Sequence, residues 1–320
     1  MSIISTDIQK AISLLENEKL VAIPTETVYG LAGNIFSEKA IKKIFSTKKR
    51  PFFNPLIVHI PSIDALENVV SYVPEKAKIL ASAFWPGSLT LVLKKNSSIP
   101  DLITAGKDTV AVRIPNHPLT LELLRRLPFP LAAPSANPFN NISPTKAFHV
   151  EQYFKNDIQL ILDGGTCKNG IESTIIGFEN EEPVVYRLGA LSIENIEKVI
   201  GKVTIKNHKL QNPDAPGMLQ KHYSPKTLLI LTSDIKKEIK KFQGKKIGIL
   251  SFTNSYKNDR IFHEIILSKY ANLNEAATNL YTSLHELDTF QLDVIIAEKL
   301  PEMGLGISVN DRLQRATFQE

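Results

Sequence analysis

Pro24-Thr-Glu-Thr-Val-Tyr-Gly-Leu-Ala-Gly33 and, one short helix later, Lys48-Lys-Arg-Pro-Phe-Phe-Asn-Pro-Leu-Ile-Val-His59 decide how this 320-residue chain is read. The apolar run Leu20-Val21-Ala22-Ile23 reads as a buried strand, and Pro24 ends it because proline has no N–H to give to a ladder. The threonines, glutamate and glycines that follow read as a turn rich in hydroxyls. A helix predicted over 37–45 then delivers Lys48, Lys49 and Arg50 to a loop stiffened by Pro51 and Pro55, and a second strand ends in His59. Cations held on a stiff loop, close to hydroxyls at a strand end, suit a phosphorylated ligand.

Outward from this stretch the pattern is α/β. Helical periodicity predicts helices over 5–17, 63–69, 74–84, 118–127 and 193–200, and apolar or alternating runs predict strands over 89–93, 109–114, 131–133, 160–162, 173–176 and 184–188. Residues 207–226 are dense in turn formers, the composition of a linker, yet they end in Met218-Leu-Gln-Lys-His-Tyr-Ser-Pro225, with large and ionisable side chains. Beyond it, strands over 228–231, 246–250, 264–267 and 294–297 alternate with helices over 234–242 and 273–287, and a last helix is expected at Asp311–Arg315. That order gives a small α/β unit with parallel-sheet character. Two domains also fit the length, since single cores rarely grow past roughly 250 to 300 residues.

Composition excludes several classes. No run approaches the roughly 18 apolar residues of a membrane helix, and no basic-then-apolar export signal opens the chain, so a cytoplasmic protein is expected. The single cysteine, Cys167, rules out an internal disulfide and a cysteine zinc site, and its Gly- and Lys-containing loop gives no setting for a nucleophile. The net charge of +5 is a mild excess that favours an anionic ligand or passing contact with nucleic acid. The Walker, dinucleotide-binding, His-Glu-x-x-His and Gly-x-Ser-x-Gly patterns are all missing.

The residues left to carry chemistry lie at strand ends and in the turns after them. Arg113 and Arg187 sit inside apolar strands, where an unpaired guanidinium is costly, so each calls for a buried carboxylate or an anionic ligand. Ser135 and Asn137 occupy a Pro-bounded turn, and Ser173 and Thr174 follow Glu172 and the glycine-rich stretch 164–170, where backbone N–H groups can approach an anion. Hydroxyls, amides, cations and one imidazole with few carboxylates describe a holder of a polyanion and a small polar partner. Its catalysis would come from positioning and charge neutralisation.

Pro24-Thr-Glu-Thr-Val-Tyr-Gly-Leu, Lys48-x-Arg50-Pro, Asn54-Pro-Leu-Ile-Val-His59, Phe84-Trp-Pro-Gly87 with Leu89-Thr90, Val112-Arg-Ile-Pro115, Ser135-Ala-Asn137, Ser143-Pro-Thr145 and Glu172-Ser-Thr174 resemble the YrdC-like domain family. Pro216-Gly-Met218 and His222-Tyr-x-Pro225 resemble the longer, two-domain threonylcarbamoyl-AMP synthases of that family. The resemblance implies a twisted mixed sheet with helices over 1–206, a linker and lid over 207–226, and a smaller Rossmann-like α/β domain over 227–320. It implies that L-threonine, bicarbonate and ATP, with Mg²⁺, give threonylcarbamoyl-AMP and pyrophosphate, the product passing to the complex that modifies tRNA. Carried over by motif, Lys48 and Arg50 are the catalytic cations. Thr27, His59, Arg113, Ala133 and Ser173 would hold threonine. Lys48, Arg50, Asn54, Thr109, Ser135, Asn137, Ser143, Arg187 and Tyr223 would hold ATP, with His222 and Tyr223 as the lid. No residue is carried over as a metal ligand.

Three departures stand out: Lys49 where a glycine is usual, Ser88 where a proline is, and Asn140-Asn141 where Ser-Gly is common. Lys49 is expected to add a charge near the phosphates. Two rival readings exist. One is a double-stranded RNA-binding module without adenylate chemistry, whose first domain lays a concave basic face on a duplex; weak RNA binding is also expected as a side contact of the synthase itself. The other is the related carbamoyl-transfer domain of hydrogenase maturation, which sits in a far larger chain with zinc-finger and acylphosphatase parts that this one lacks.

Overall fold

Asp7 and Ser37 accept hydrogen bonds from the first-turn amides of Lys10 and Ala40, so two early helices begin where a capping side chain meets an apolar periodicity. The computed structural model describes residues 2–206, 216 and 222–318. Its first part runs β1 (Ile3–Ser5), α1 (Ile8–Glu16), β2 (Val21–Ile23), β3 (Gly30–Asn34), α2 (Glu38–Lys48), β4 (Ile57–His59), β5 (Val70–Tyr72), α3 (Glu75–Phe84) and β6 (Leu89–Lys95). There follow α4 (Asp101–Thr104), β7 (Thr109–Arg113), α5 (Pro118–Arg126), β8 (Leu131–Ala132), α6 (Ala147–Phe154), β9 (Leu160–Leu162), β10 (Thr174–Glu179), β11 (Glu182–Arg187), α7 (Ile193–Ile200) and β12 (Thr204–Ile205). The second part comprises β13 (Leu228–Thr232), α8 (Ile235–Ile239), β14 (Ile247–Ser251), β15 (Ile261–Ile266), α9 (Leu273–Thr289), β16 (Val294–Glu298) and α10 (Leu305–Ala316).

Three local expectations change. The helix predicted over 37–45 continues through Lys48, because Ile44, Phe45 and Lys48 keep burying its inner face; Lys49 caps it in the left-handed region at φ 53. Lys48 therefore ends the helix, and Arg50 stands on the loop just past its cap. Gly30-Leu-Ala-Gly-Asn34 is a strand, not part of the turn, paired antiparallel to β2 and β8. Gly30 fits there because an added Cβ would lie 3.1 Å from the Cβ of Ala133. The segment 63–69 winds as a 3₁₀ turn over Asp64–Asn68.

Twelve described strands form the first sheet, in the order β1-β9-β2-β3-β8-β4-β7-β6-β10-β11-β12 with β5 beside β6. The register brings one end of it together. Parallel β4 and β7 set His59 opposite Arg113, and antiparallel β6 returns to put Leu89 beside Thr174 of β10. Ile175 pairs with Arg187 at the end of β11. His59, Arg113, Ser173 and Arg187 thus meet at one edge of the central strands.

The second sheet is parallel, in the order β13-β16-β14-β15. Ile235 and Ile239 of α8 pack on one of its faces with Val294 and Ile296, while Leu280 and Leu284 of α9 and Leu313 of α10 pack in another cluster. That second cluster also takes in Val28, Ile142 and Ile171 of the first domain and Tyr223. The two domains accordingly share a core.

Candidate active site

Behind the loop after β2, the side chain of Thr25 makes a tight turn. Its Oγ1 donates 2.6 Å to the carbonyl of Val28 and lies 2.8 Å from Oγ1 of Thr27. This folds the Pro24–Tyr29 stretch over the sheet end and closes a cavity lined by Thr25, Thr27, Arg50, Ile57, His59, Arg113, Ala133, Ser135, Glu172, Ser173, Arg187, Pro216, His222 and Tyr223. The register that gathers the strand ends therefore gathers most of the predicted ligands.

Three guanidiniums converge on this cavity, each fixed from behind. Arg113 donates 2.6 Å to Glu26 Oε1 and 3.1 Å to the carbonyl of Gly87, while the other oxygen of Glu26 accepts the backbone N–H of Asn116 at 2.9 Å. Arg50 donates to the carbonyl and Oδ1 of Asn54 and to the carbonyl of Pro55, at 3.2, 2.6 and 2.8 Å. Arg187 holds the carbonyl and Oγ of Ser173, both at 3.0 Å, and reaches the carbonyl of Pro216 at 3.2 Å. Burial, with Arg187 nearby, lowers the Arg50 guanidinium to about 9, which leaves it charged at neutral pH. Burial and the neighbouring Arg113 push His59 down to about 3, so it presents a neutral imidazole whose Nδ1 has no partner among the described residues.

Glu172 is the carboxylate on the cavity wall, and it is fully engaged. Its Oε1 accepts from Ser143 Oγ at 2.6 Å; its Oε2 accepts from the Tyr281 hydroxyl and from Arg312 Nε, both at 3.0 Å. Burial opposes its charge, but Arg312, Arg187 and Ser143 together hold it below the usual carboxylate range. Arg312 also donates 2.6 Å to the carbonyl of Leu188 and lies 4.8 Å from the ring of Tyr223. Helices α9 and α10 of the second domain thus fix a wall of the first domain's cavity.

Five predicted residues stand off the cavity wall. Lys48 donates from Nζ to the backbone carbonyls of Ser135 and Asn137, and burial beside Arg50 lowers its pKa far below the ordinary value. It clamps the Ser135–Asn137 turn. Asn54 backs Arg50, Asn137 bridges the carbonyls of Pro138 and Asn141 at 2.9 Å each, and Ser143 backs Glu172. Thr109 lies at the opposite end of β7 from Arg113, roughly 13 Å away at strand rise. With Ala111 it keeps Arg113's face of the strand, and it lines a separate depression with Asp108 and Phe178.

The departures acquire structural roles. Lys49 is exposed at the α2 cap and points its charge outside the cavity. Ser88 donates 3.3 Å to Glu26 and accepts from Asn169, so it helps orient the partner of Arg113. Asn140 takes φ 68, and its carbonyl accepts the backbone N–H of Ser224 at 2.8 Å, which moors the lid. Tyr223 and His222 are buried, and Tyr223 Oη and His222 Nδ1 have no partner among the described residues. The rest of the predicted lid, 207–215 and 217–221, lies outside the described residues.

Sequence reasoning did not assign Glu26, Pro216, Tyr281 or Arg312. Glu26 was within reach, since a guanidinium in an apolar strand demands a carboxylate and Glu26 lies in the opening motif. Nothing local in 281 or 312 pointed to a site 109 and 140 residues away. Lys48, Arg50, Arg113 and Arg187 are each at most 8% exposed, so these four cations cannot form the concave basic face of the RNA reading. Among the described residues there is no cluster of three or more His, Cys, Asp or Glu side chains that could hold a metal ion.

Residues 13–189 match the family described as "Telomere recombination", and residues 191–317 match "Threonylcarbamoyl-AMP synthase, C-terminal domain". The chain is 42% identical to the threonylcarbamoyl-AMP synthase of Pyrococcus abyssi, over 97% of this chain and 94% of that protein. It is 40% identical to that of Bacillus subtilis, over 97% and 92%. The crystal structure of the P. abyssi protein Sua5 complexed with L-threonine superposes with a TM-score of 0.91, covering 97% of this chain and 94% of that one at 42% identity. A putative threonylcarbamoyl-AMP synthase of Methanocaldococcus jannaschii, 34% identical, is covered over 85% of its length by 57% of this chain.

Proposed function

The chain belongs to the threonylcarbamoyl-AMP synthase family, and we propose from that premise that it makes threonylcarbamoyl-AMP and pyrophosphate from L-threonine, bicarbonate and ATP. The observation that carries the reading is the convergence of Arg50, Arg113 and Arg187 on one enclosed cavity whose carboxylate, Glu172, is already saturated. Such a cavity lacks negative charge, and an anionic ligand supplies it.

Arg113, braced by Glu26, is placed to take the threonine carboxylate. Thr27, the neutral His59 and the backbone around Ala133 are placed to take its hydroxyl and amine. The amine condenses with bicarbonate to a carbamate, releasing water; a carbamate oxygen then attacks the α-phosphorus of ATP, and the bond to the β-phosphate oxygen breaks, releasing pyrophosphate. Arg50 and Arg187 neutralise the phosphates as that charge develops, and they need no rearrangement because backbone carbonyls already hold them. Bound Mg²⁺ would add charge neutralisation at the leaving pyrophosphate. Thr109, on the same face of β7 as Arg113, lies at a reach that suits the nucleoside end of ATP. Tyr223 and His222 exclude water from a mixed anhydride that hydrolysis would destroy. On this reading the reaction runs in the cytoplasm and its product feeds the tRNA-modifying complex. No helix among the described residues is long and apolar enough to cross a membrane.

The test is pyrophosphate release from ATP, measured with and without L-threonine and bicarbonate. Release that requires both is the expected result. Release indifferent to either, or none at all, sinks the proposal.

A further inference from the structure

Two imidazoles lie face to face across the joint between the domains. His149 of α6 belongs to the first domain and His285 of α9 to the second; their ring centres are 3.9 Å apart and their planes 26° from parallel. His149 is buried and His285 partly buried, with the ring of Tyr153 5.6 Å from that of His285. Neither histidine lines the active-site cavity.

The pair grips one short segment. His149 Nδ1 accepts the backbone N–H of Thr145 at 3.3 Å, and His285 Nε2 donates to the carbonyl of Ser143 at 3.2 Å. Beside them Thr145 Oγ1 meets Thr282 Oγ1 of α9 at 2.9 Å, and the carbonyl of Pro144 accepts the N–H of Tyr29 at 2.8 Å. Ser143 in turn donates to Glu172 on the cavity wall. These bonds fix the protonation state. An Nδ1 that accepts a backbone N–H carries no proton, so His149 is neutral; His285 needs only its Nε2 proton, and burial disfavours a second.

Few charges face the pair. Lys146, just before α6, opposes protonation of both rings. Asp288, three residues along α9, favours it at His285, but its carboxylate already accepts the backbone N–H groups of Lys226 and Thr227. The loop over 141–145 carries no charged side chain. Burial is the largest influence and takes His149 down to about 3 and His285 to about 4.

We propose that His149 and His285 form a proton-sensitive clasp, which fastens α9 of the second domain to the Ser143–Thr145 segment while both rings are neutral and opens that joint when they take up protons. In an opened joint the rings meet water, where imidazole titrates near about 6.5. The folded values lie lower, so the clasp is complete above about pH 6.5 and loses its hold as the pH falls towards 4 and then 3. Opening frees Ser143 from its support and so couples acidity to the wall of the cavity. The clasp is set by the fold and does not depend on the reaction assigned above.

The test is hydrogen–deuterium exchange of the full chain at about pH 7.5 and about pH 5.0 at constant ionic strength. It is read by mass spectrometry on peptides spanning 142–155 and 276–290 and corrected for the intrinsic exchange rate. Each ring that titrates freely only when open multiplies the opening constant about 30-fold over that interval, so the parent is expected to rise by at least about 100-fold. H149F/H285F keeps two rings that cannot titrate, and its opening constant should stay within about threefold. Should that variant fail to fold, H149F alone decides, with about 30-fold of the rise removed. A flat parent profile overturns the proposal, and so does a variant that keeps the parent's rise. An equal rise in residues 228–251, a stretch without histidine, overturns it as well, since acid would then be unfolding the domain as a whole.

Discussion

Arg50 shows what a single residue is asked to do here. Its guanidinium is held by three acceptors in the Asn54–Pro55 loop, yet it also lines the cavity. Both halves of that role are testable. Arg50→Ala is expected to lower turnover by at least about 100-fold, the usual scale for losing a donor aimed at developing charge, with the far-ultraviolet circular dichroism retained. It should also cost about 1–3 kcal/mol in urea unfolding, because buried acceptors lose their donor. Activity retained with lowered stability would reduce Arg50 to a loop clamp. Lys48 is the contrast: two apart in sequence, it donates to two carbonyls and shapes the Ser135–Asn137 turn, a division of labour that the Lys-x-Arg spacing does not reveal.

At the scale of elements, the α2 cap accounts for a departure from the family pattern. Position 49 takes φ 53 and ψ 37, a conformation that glycine adopts without the side-chain clash other residues carry. Lys49→Gly is therefore expected to leave the unfolding midpoint unchanged or to raise stability by up to about 1 kcal/mol; relief of strain is partly offset by the freer unfolded chain. The KM for ATP should not move, since the Lys49 side chain is exposed outside the cavity. A clear change in that KM would show that its charge acts on the phosphates after all. The same reasoning explains Asn140, whose amide side chain tolerates φ 68 where its carbonyl must meet Ser224.

Across the whole molecule, the second domain is a structural part of the site. Arg312 and Tyr281 hold Glu172, Thr282 bonds Thr145 at 2.9 Å, and His285 reaches the carbonyl of Ser143 at 3.2 Å. Gly170 lets the two domains approach: at φ 71, an added Cβ would lie 2.3 Å from the carbonyl oxygen of Thr278. Arg312→Ala strands the Glu172 charge in the interior and is expected to cost about 3–5 kcal/mol in unfolding experiments. Pyrophosphate release should fall with it, because Ser143 and Tyr223 lose a shared support. Full turnover in a destabilised Arg312→Ala protein would mean that docking and catalysis are separable.

The sequence by itself determined most of the longer helices and strands and named more than half of the side chains that line the cavity. Those properties are local: apolar periodicity, proline stops, capping residues, and short motifs such as Lys48-x-Arg50 and Glu172-Ser-Thr174. Helix 193–200 is found with the bounds its periodicity gives. The β3 strand was illegible because Gly30-Leu-Ala-Gly-Asn34 has no strand preference of its own and is held by β2 and β8 on either side. Only the tertiary structure decided that Arg113 rests on Glu26, that Lys48 turns to backbone carbonyls, and that Arg312 closes a site built 140 residues earlier. A buried charge takes whichever partner the packed fold brings within hydrogen-bonding distance. That depends on strand register and domain docking, which no stretch of sequence contains.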